Sequence, residues 1–361
     1  MSKTAEIYGI NGPVIYLKGN TGFKMSEMVY VGEENLVGEV ISLKKEATTV
    51  QVFEETSGLR PGETVTASGD AISVTLGPGI LNNIFDGIQR PLSVIAEQSG
   101  KYISRGMQVD SLDTEKLWDV HLTVSQGMEV YGGTIIAEVP ETESIVHKSM
   151  VPPNLHGVIK SVVPDGKYNI TQTIAVLTLE DGSEYELKLA QKWPIRIPRP
   201  TSKRYPASKP LVTGQRILDT LFPIAKGGTA AVPGGFGTGK TMTQHQIAKW
   251  SDADIIIYIG CGERGNEMTQ VLEDFSKLHD PKTGNALMAR TSLIANTSNM
   301  PVAAREASIY TGITLAEYYR DMGYDVAIMA DSTSRWAEAL RELSGRLEEM
   351  PAEEGFPAYL A

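Results

Sequence analysis

The most constraining feature of this sequence is a glycine-rich segment that ends in a lysine and a threonine. It fits the pattern G-x-x-x-x-G-K-[ST] and reads Gly234-Gly235-Phe236-Gly237-Thr238-Gly239-Lys240-Thr241. Glycines let such a loop turn successive backbone N–H groups toward phosphate oxygens, and a following helix adds the positive end of its dipole. The short apolar run at 230–232 and the helical pattern at 242–250 favour this phosphate-binding loop over a glycine-rich surface turn.

The loop predicts ATP binding within a sheet whose strands alternate with helices. Lys240 is expected to bridge the β- and γ-phosphates, and Thr241 to offer its hydroxyl to Mg²⁺. From residue 196 onward, apolar runs alternate with helical spacing, which is typical of a parallel sheet covered on both faces. The runs at 255–259 and 326–330 are continuously apolar, as expected of central strands. Between them, apolar residues recur at helical spacing, at Val302, Ile309, Ile313 and Ala316.

Two carboxylates follow the apolar runs, at the sheet edge where ligands of open α/β folds bind. Asp331 ends the run at 326–330, the position from which a second carboxylate holds magnesium through water, although an aspartate there is also a common turn former or helix cap. Glu263 follows the run at 255–259, and a carboxylate there can polarise the water that attacks the γ-phosphate. Spacing alone leaves open a second possibility for this segment, a surface ion pair between Arg264 and Glu267.

The rest of the chain is rich in short β-like runs separated by Gly, Asn and Pro. We predict an N-terminal antiparallel β-barrel at 1–70, a connector at 71–109, a β-rich insertion at 110–195, and the ATP-binding domain at 196–361. Lys148 lies in a segment that could form the modified hairpin of a lipoyl or biotinyl carrier. An ordinary solvated hairpin lysine is the favoured interpretation.

Composition excludes several classes of function. The chain has 33 Lys and Arg against 44 Asp and Glu, a formal net charge of -11, which argues against a surface built for unselective nucleic-acid binding. Its one cysteine, Cys261, cannot form an intrachain disulfide and fits a reducing compartment. We expect no signal peptide and no transmembrane segment, because the densest apolar run is only strand-length.

Several motifs taken together resemble one family over nearly the whole chain. The segments Gly260-Cys261-Gly262-Glu263-Arg264-Gly265-Asn266-Glu267-Met268 and Asp331-Ser332-Thr333-Ser334-Arg335-Trp336, with the loop at 234–241, resemble the catalytic A subunits of archaeal-type and vacuolar-type rotary ATPases. The resemblance extends to Ile10-Asn11-Gly12-Pro13-Val14, to Gly77-Pro78-Gly79-Ile80-Leu81 and to the insertion. It implies a RecA-like P-loop domain.

The resemblance also implies site roles and partners. Glu263 becomes the expected catalytic carboxylate, with Lys240, Arg264 and Arg335 around the phosphates. Thr241 and Asp331 are expected at Mg²⁺, the latter through water, with Glu267 in the outer shell. The family forms an alternating A3B3 hexamer in which a B subunit supplies an arginine finger.

In that family, central and peripheral stalks connect the hexamer to a membrane rotor. The resemblance therefore implies ATP synthesis or hydrolysis coupled to proton or sodium transport, at the cytoplasmic face of a membrane and without nucleic acid.

One departure keeps other functions open. The family continues well beyond the position of Asp331, with an adenine pocket and a helical domain, whereas this chain ends at residue 361. We therefore expect a C-terminally truncated chain without its adenine-pocket residues. An inactive nucleotide-binding interaction module remains an alternative, as does a RecA-like export ATPase or hexameric helicase, although the acidic charge and the insertion disfavour a helicase.

Overall fold

The computed structural model describes residues 3–100, 103–235 and 237–360 of the 361-residue chain. It contains an N-terminal barrel, a central β-rich insertion, and a parallel sheet covered by helices, which confirms the predicted fold class. Within these ranges, no helix combines the length and the apolarity needed to cross a bilayer.

The N-terminal region is a closed antiparallel barrel of six strands. The strands follow the order β1-β2-β5-β4-β3-β6, and β6 pairs back onto β1, so that no strand edge is left free. Inward-facing residues such as Ile15, Val29 and Val50 form a core separate from the rest of the molecule. The strands are β1 (Thr4–Asn11), β2 (Val14–Lys18), β3 (Glu27–Val31), β4 (Leu36–Leu43), β5 (Ala47–Val52) and β6 (Thr64–Ala71).

The segment after the barrel adds strands to both neighbouring regions. It contains β7 (Ser73–Leu76), β8 (Asn83–Phe85) and helix α1 (Leu92–Ser99). Strand β7 pairs antiparallel with the last strand of the insertion, and β8 forms one edge of the parallel sheet. The connector is therefore part of the packed structure and not a free linker.

The insertion is built from two four-stranded antiparallel sheets. Their orders are β10-β13-β15-β16 and β12-β11-β9-β14, and they share a core that includes Val130, Ile136 and Leu177. The strands are β9 (Trp118–Leu122), β10 (Glu129–Tyr131), β11 (Ile135–Pro140), β12 (Val146–Met150), β13 (His156–Val162), β14 (Gly166–Tyr168), β15 (Thr173–Leu179), β16 (Glu184–Lys188) and β17 (Gln191–Pro194), of which β17 pairs with β7.

The C-terminal region is a parallel sheet of order β22-β20-β21-β8. Strand β20 is buried on both faces: Ile257 and Ile259 pack in the cluster that contains α5, whereas Ile256 and Tyr258 pack in the cluster of α3 and α4. The elements are β18 (Pro210–Leu211), α2 (Arg216–Leu221), β19 (Ile224–Ala225), α3 (Lys240–Trp250), β20 (Ile255–Glu263), α4 (Gly265–Lys277), β21 (Thr291–Thr297), α5 (Val302–Asp321), β22 (Val326–Asp331) and α6 (Thr333–Arg346), with 3₁₀ turns at Leu287–Arg290, Glu353–Gly355 and Ala358–Leu360.

One local prediction for this region is wrong. The run at 326–330 forms an edge strand, not a central one, and Ile328 is 42% exposed. The run at 230–232 lies outside any strand and is exposed. Ile313, one of the apolar residues at helical spacing, is 38% exposed, and α5 buries mainly its small and aromatic residues. Apolar runs indicate that a segment can be buried, but they carry no information about the number of its neighbours.

The insertion and the carboxyl-terminal part of α5 form a buried polar interface, here called the insertion–α5 interface and defined by Glu141, His147, Tyr318 and Tyr319. The Tyr319 hydroxyl lies 2.9 and 3.0 Å from the two carboxylate oxygens of Glu141. The Tyr318 hydroxyl lies 3.1 Å from Nε2 of His147, whose side chain is fully buried. Buried polar groups that find partners in this way hold their elements in one arrangement.

Lys148 lies beside this interface, in the hairpin of β11 and β12, but its amine is not free in solvent. It belongs to strand β12, and its Nζ donates to the carbonyl of Met322 at 3.1 Å. The interpretation of Lys148 as a hairpin lysine is confirmed, and only its solvation is wrong, because the amine packs on the nucleotide domain.

A second polar contact connects the barrel to the same helix. Arg196, which follows β17, lies 2.8 Å from a carboxylate oxygen of Glu39 in β4 and 2.6 Å from one of Glu306 in α5. Both carboxylates are buried, so the guanidinium compensates the charges that the barrel and the helix bring together. The three regions are thus joined around α5.

Candidate nucleotide site

The glycine-rich segment forms an exposed loop that leads directly into helix α3. Gly237 and Gly239 have φ angles of 77° and 86°, a region that glycine adopts without steric cost, and Gly239 is the N-cap of α3. Lys240 Nζ donates to the carbonyls of Gly234 and Gly235 at 2.8 and 2.7 Å. The hydroxyl of Thr238 donates to Gly235 as well, at 2.8 Å. The loop is therefore closed by its own polar groups.

Two features of this loop suit an anionic ligand. The helix N-terminus presents unpaired N–H groups and the positive end of the dipole, and the Lys240 ammonium lies beside it.

Phe236, which the sequence places in the loop, lies outside the described residues. The other loop residues are all close to one another in the structure.

The carboxyl ends of neighbouring strands bring Asp331 to the start of α3. Gly260 in β20 pairs with Asp331 in β22, which sets the register of this edge. The Thr241 hydroxyl donates to Oδ2 of Asp331 at 2.6 Å, and the Tyr258 hydroxyl donates to the same oxygen at 3.3 Å. Asp331 is only 2% exposed, so these donors offset much of the cost of burying its carboxylate.

Glu263 ends β20 at the same edge, and its neighbours are other acids. Burial is the largest cause that raises its pKa to about 7, followed by a hydrogen bond with Glu267 and the charge of Asp331. The Arg335 guanidinium opposes this shift. A carboxyl group with a pKa near neutrality can take up and release a proton at physiological pH, which suits acid–base chemistry.

The two predicted arginines lie near Glu263: Arg264 follows it in the chain, and the charge of Arg335 acts on its carboxyl group. Arg264 is exposed and is the N-cap residue of α4, and Glu267 lies in the first turn of that helix. Arg335 begins α6, and its guanidinium donates to Glu338 at 2.8 Å. Gly262 has a φ angle of 73°, and a side chain there would collide with the Cβ of Arg335, so close packing of α6 on this edge requires glycine.

Sequence reasoning missed Tyr258. It lies within an aliphatic run whose pattern indicates only a core position, yet its hydroxyl contacts Asp331 and lies 3.4 Å from Nε2 of His245. The available signal was the hydroxyl itself, because a tyrosine in a buried strand usually needs a hydrogen-bond partner.

A cavity lies away from this edge. Its volume is about 430 Å³, and it lies between the connector, the insertion and the segment before β21, where Trp118 and Glu141 contribute to its lining. The loop at 234–241 is open to solvent instead. The candidate nucleotide site is the loop and not this cavity, because Thr241 and Asp331 meet beside the loop that holds Lys240.

Comparison with known proteins identifies the family of this chain. Three family profiles match successive parts of the chain: "ATP synthase alpha/beta family, beta-barrel domain" at 7–69, "ATPsynthase alpha/beta subunit barrel-sandwich domain" at 109–196, and "ATP synthase alpha/beta family, nucleotide-binding domain" at 214–361. The chain belongs to the ATP synthase alpha/beta family. Membership in this family implies nucleotide binding, typically with Mg²⁺.

Similar proteins within the family come from A-type and V-type ATP synthases. The chain is 62% identical to the V-type ATP synthase alpha chain of Halothermothrix orenii, over 100% of this chain and 61% of that protein. It is 59% identical to the A subunit of the A-type ATP synthase of Methanopyrus kandleri, again over 100% of this chain and 61% of the relative. The chain thus spans about three fifths of the length of these relatives.

A solved structure with a similar fold is the ATPase EscN of the type III secretion system of enteropathogenic E. coli. The TM-score is 0.63, the identity is 21%, and the match covers 99% of this chain and 63% of EscN. At this identity the likeness concerns the fold alone.

Proposed function

We propose that this chain carries the catalytic nucleotide site of an A/V-type rotary ATP synthase or ATPase, which interconverts ATP and water with ADP and phosphate. The observation that carries the proposal is the convergence of the loop lysine, the Thr241–Asp331 pair and Glu263 at one sheet edge. The high identity to A-type and V-type relatives over the whole chain supports it.

The loop binds the phosphates. On binding, Lys240 exchanges the carbonyls of Gly234 and Gly235, its present acceptors, for phosphate oxygens. This exchange replaces neutral acceptors with charged ones, and charge-assisted hydrogen bonds are roughly twice as strong as neutral ones. The N–H groups at the start of α3 contribute in the same direction.

The Thr241 hydroxyl and the Asp331 carboxylate fit Mg²⁺. Both offer oxygen ligands, which this cation prefers, and their oxygens lie 2.6 Å apart. Thr241 would hold the ion directly and Asp331 through water, with Glu267 as an outer-shell carboxylate. When bound, Mg²⁺ neutralises phosphate charge and orients the γ-phosphate.

Glu263 orients and polarises the attacking water in the hydrolytic direction. Its carboxylate form accepts a hydrogen bond from the water, and Glu267 is close enough to share a proton with it. Arg335 and Arg264 stabilise negative charge that develops on the transferred phosphoryl group. In synthesis the same groups act in reverse order.

The remaining parts of the proposal concern the assembly. B subunits would alternate with this chain in an A3B3 hexamer and supply an arginine finger, worth about 10³ to 10⁵ in rate. Central and peripheral stalk subunits would connect the hexamer to a membrane rotor that moves protons or sodium ions. The chain would lie at the cytoplasmic face of the membrane, attached through these partners.

ATP hydrolysis tests the proposal when it is measured with and without added B subunits. We expect weak hydrolysis by the chain alone and at least a hundredfold stimulation by B subunits. Glu263→Gln should abolish the stimulated rate, because the amide cannot accept the proton. Glu273→Gln is the matched control, since Glu273 lies on α4 but pairs with Lys277 away from the loop.

Other outcomes separate the alternatives. Mg-ATP binding without hydrolysis in the presence of B subunits would favour an inactive nucleotide-binding module. Hydrolysis stimulated by single-stranded RNA and lost at high salt would favour a helicase. Either result would contradict the rotary assignment.

A further inference from the structure

A buried arginine that the catalytic scheme does not use lies beneath the site. Arg305 is in the first turn of α5 and is 8% exposed. Its Nη2 donates to the carbonyl of Ser298 at 2.9 Å, and its Nε has no acceptor. The stem of the side chain lies against Gly262, where an added Cβ would be 3.1 Å from Cδ of Arg305.

The charge of Arg305 has no ion-pair partner within the described part of the chain. Other buried arginines do have one: Arg90 pairs with Asp86, Arg199 with Asp321, and Arg290 with Asp280. Burying a guanidinium without a direct ion pair costs free energy, and the charge of Arg305 acts only from a distance, where it helps to lower the pKa of Glu338. Its placement under the reactive edge therefore points to a role in the site.

Ser298 connects Arg305 to the backbone of Glu263. The Ser298 N–H donates to the Glu263 carbonyl at 2.9 Å, while the Ser298 carbonyl accepts from Arg305. Glu263 needs such support because the pairing of β20 with β21 shifts register between Cys261 and Glu263. A bulged strand end has fewer ladder hydrogen bonds to fix it.

We propose that Arg305 is a positioning residue that fixes the backbone at Glu263 through Ser298 and so aims the Glu263 carboxylate at the attacking water. The inference rests on the proposed function, in which Glu263 polarises that water. Arg305 itself touches neither nucleotide nor water in this scheme.

Kinetics of the chain combined with B subunits test this role. Arg305→Met keeps the volume but removes the donor, and we expect kcat to fall about 10- to 100-fold with KM for Mg-ATP unchanged within about twofold, because the phosphate loop is untouched. Arg305→Lys keeps a cation and a donor and should recover part of the loss. If Arg305→Met does not fold, Arg305→Lys replaces it. Its kcat and KM, alone and combined with Glu263→Gln, then provide the test.

Arg290→Met is the matched structural control. Arg290 is also buried and also donates to main-chain carbonyls, those of Ala253 and Ala248, but it lies at the opposite end of β21. We expect this variant to lower the melting temperature and leave kcat within about twofold. Amide exchange at 297–300 should accelerate in Arg305→Met and stay unchanged in Arg290→Met.

A double variant separates positioning from general damage. In a Glu263→Gln background, Arg305→Met should have no further effect on the residual rate, because the group that it positions is gone. Additive losses, or a rise in KM that accounts for the defect, would overturn the inference while leaving the proposed function intact. If Lys240→Ala and Glu263→Gln leave hydrolysis unchanged, the proposed function fails, and the inference fails with it.

Discussion

Two regions of this molecule bury carboxyl groups in opposite ways. At the insertion–α5 interface, Glu141 receives the N–H groups of Gly79 and Leu81 at 2.9 and 3.0 Å and the Tyr319 hydroxyl at 2.9 Å. At the sheet edge of the candidate nucleotide site, Glu263 lies beside further acids and has no comparable set of fixed donors among the described residues. Burial raises the pKa of both groups, but only the first is surrounded by partners that hold it in place.

The difference separates stability from function. The interface satisfies its polar groups with fixed partners, which rigidifies the insertion on α5. At the sheet edge, Lys240 donates hydrogen bonds to loop carbonyls and Thr241 donates one to Asp331. A bound ligand can replace these hydrogen bonds. Substitutions at the interface should therefore cost stability, whereas substitutions at the edge should cost binding or catalysis.

The largest effect is expected for Glu141→Ala. This change leaves three buried donors without an acceptor, and we expect a loss of about 4 kcal/mol in the free energy of unfolding, measured by urea denaturation. Affinity for Mg-ATP, measured below the denaturation midpoint, should stay within about twofold. Glu143→Ala is the control, because Glu143 is two residues away and exposed. A loss of affinity in a folded Glu141→Ala chain would break the comparison.

His147 provides a pH test of the interface. Burial lowers its pKa from 6.5 to about 3, so the folded state holds it neutral while the unfolded state binds a proton below pH 6.5. Stability is therefore present above pH 6.5 and is lost progressively as the pH falls toward 3, by about 2 to 3 kcal/mol over the accessible range.

The variant His147→Gln should flatten this loss. Unfolding free energies measured from pH 7 to pH 4.5 would show it, with exposed His279→Gln as the control. An unchanged slope in His147→Gln would mean that His147 does not titrate with unfolding, and that the interface is not closed around a neutral imidazole.

Thr241→Val tests whether the sheet edge serves ligand binding, through the proposed magnesium ligand. Loss of the hydroxyl should weaken Mg-ATP binding about tenfold, or about 1.4 kcal/mol, and leave binding in EDTA unchanged. The free energy of unfolding should fall by about 1 kcal/mol, because the buried Asp331 carboxylate loses its nearer donor and keeps only the Tyr258 hydroxyl. Thr243→Val is the control on the same helix, since the Thr243 hydroxyl donates only to Gly239. Equal losses with and without Mg²⁺ would contradict the metal role.

The smallest effect is expected for the stability of Glu263→Gln. The raised pKa of about 7 means that the folded state binds a proton more tightly than the unfolded state between pH 4.5 and 7. The contribution of Glu263 to the free energy of unfolding is therefore greatest at low pH and decreases as the pH rises to 7. We expect a decrease on the order of 1 kcal/mol, because solvent screens a half-buried carboxyl group. The variant should remove this fall, which thermal unfolding at pH 5 and 7 would show.

Much of the architecture was predictable because short sequence segments specify it. The glycine-rich loop, the strand ends that carry Glu263 and Asp331, and the alternating runs of the barrel each indicate their structure within a few residues. Parallel strands bring their carboxyl ends to one edge, so the convergence of these carboxylates with Thr241 followed from the topology. Their chemical roles stay predictions.

The rest depends on contacts between distant parts of the chain. Glu141 and Tyr319 are far apart in sequence, and neither residue carries a local sign of the other. The edge position of β22 and the exposure of Ile328 depend on which neighbours the strand acquires, which an apolar run does not specify. The connector strand β8 was missed for the same reason, since three residues give no periodicity.

The most direct test of the central claim is calorimetric titration of Mg-ATP into this chain, into Lys240→Ala and into Lys249→Ala, with melting temperatures measured in parallel. Lys249 is at the far end of the same helix and serves as the charge-matched control. We predict micromolar binding by the wild-type and Lys249→Ala chains, at least a hundredfold loss in Lys240→Ala, and equal melting temperatures for all three. Equal affinity in Lys240→Ala would contradict the claim that the loop at 234–241 is the nucleotide site.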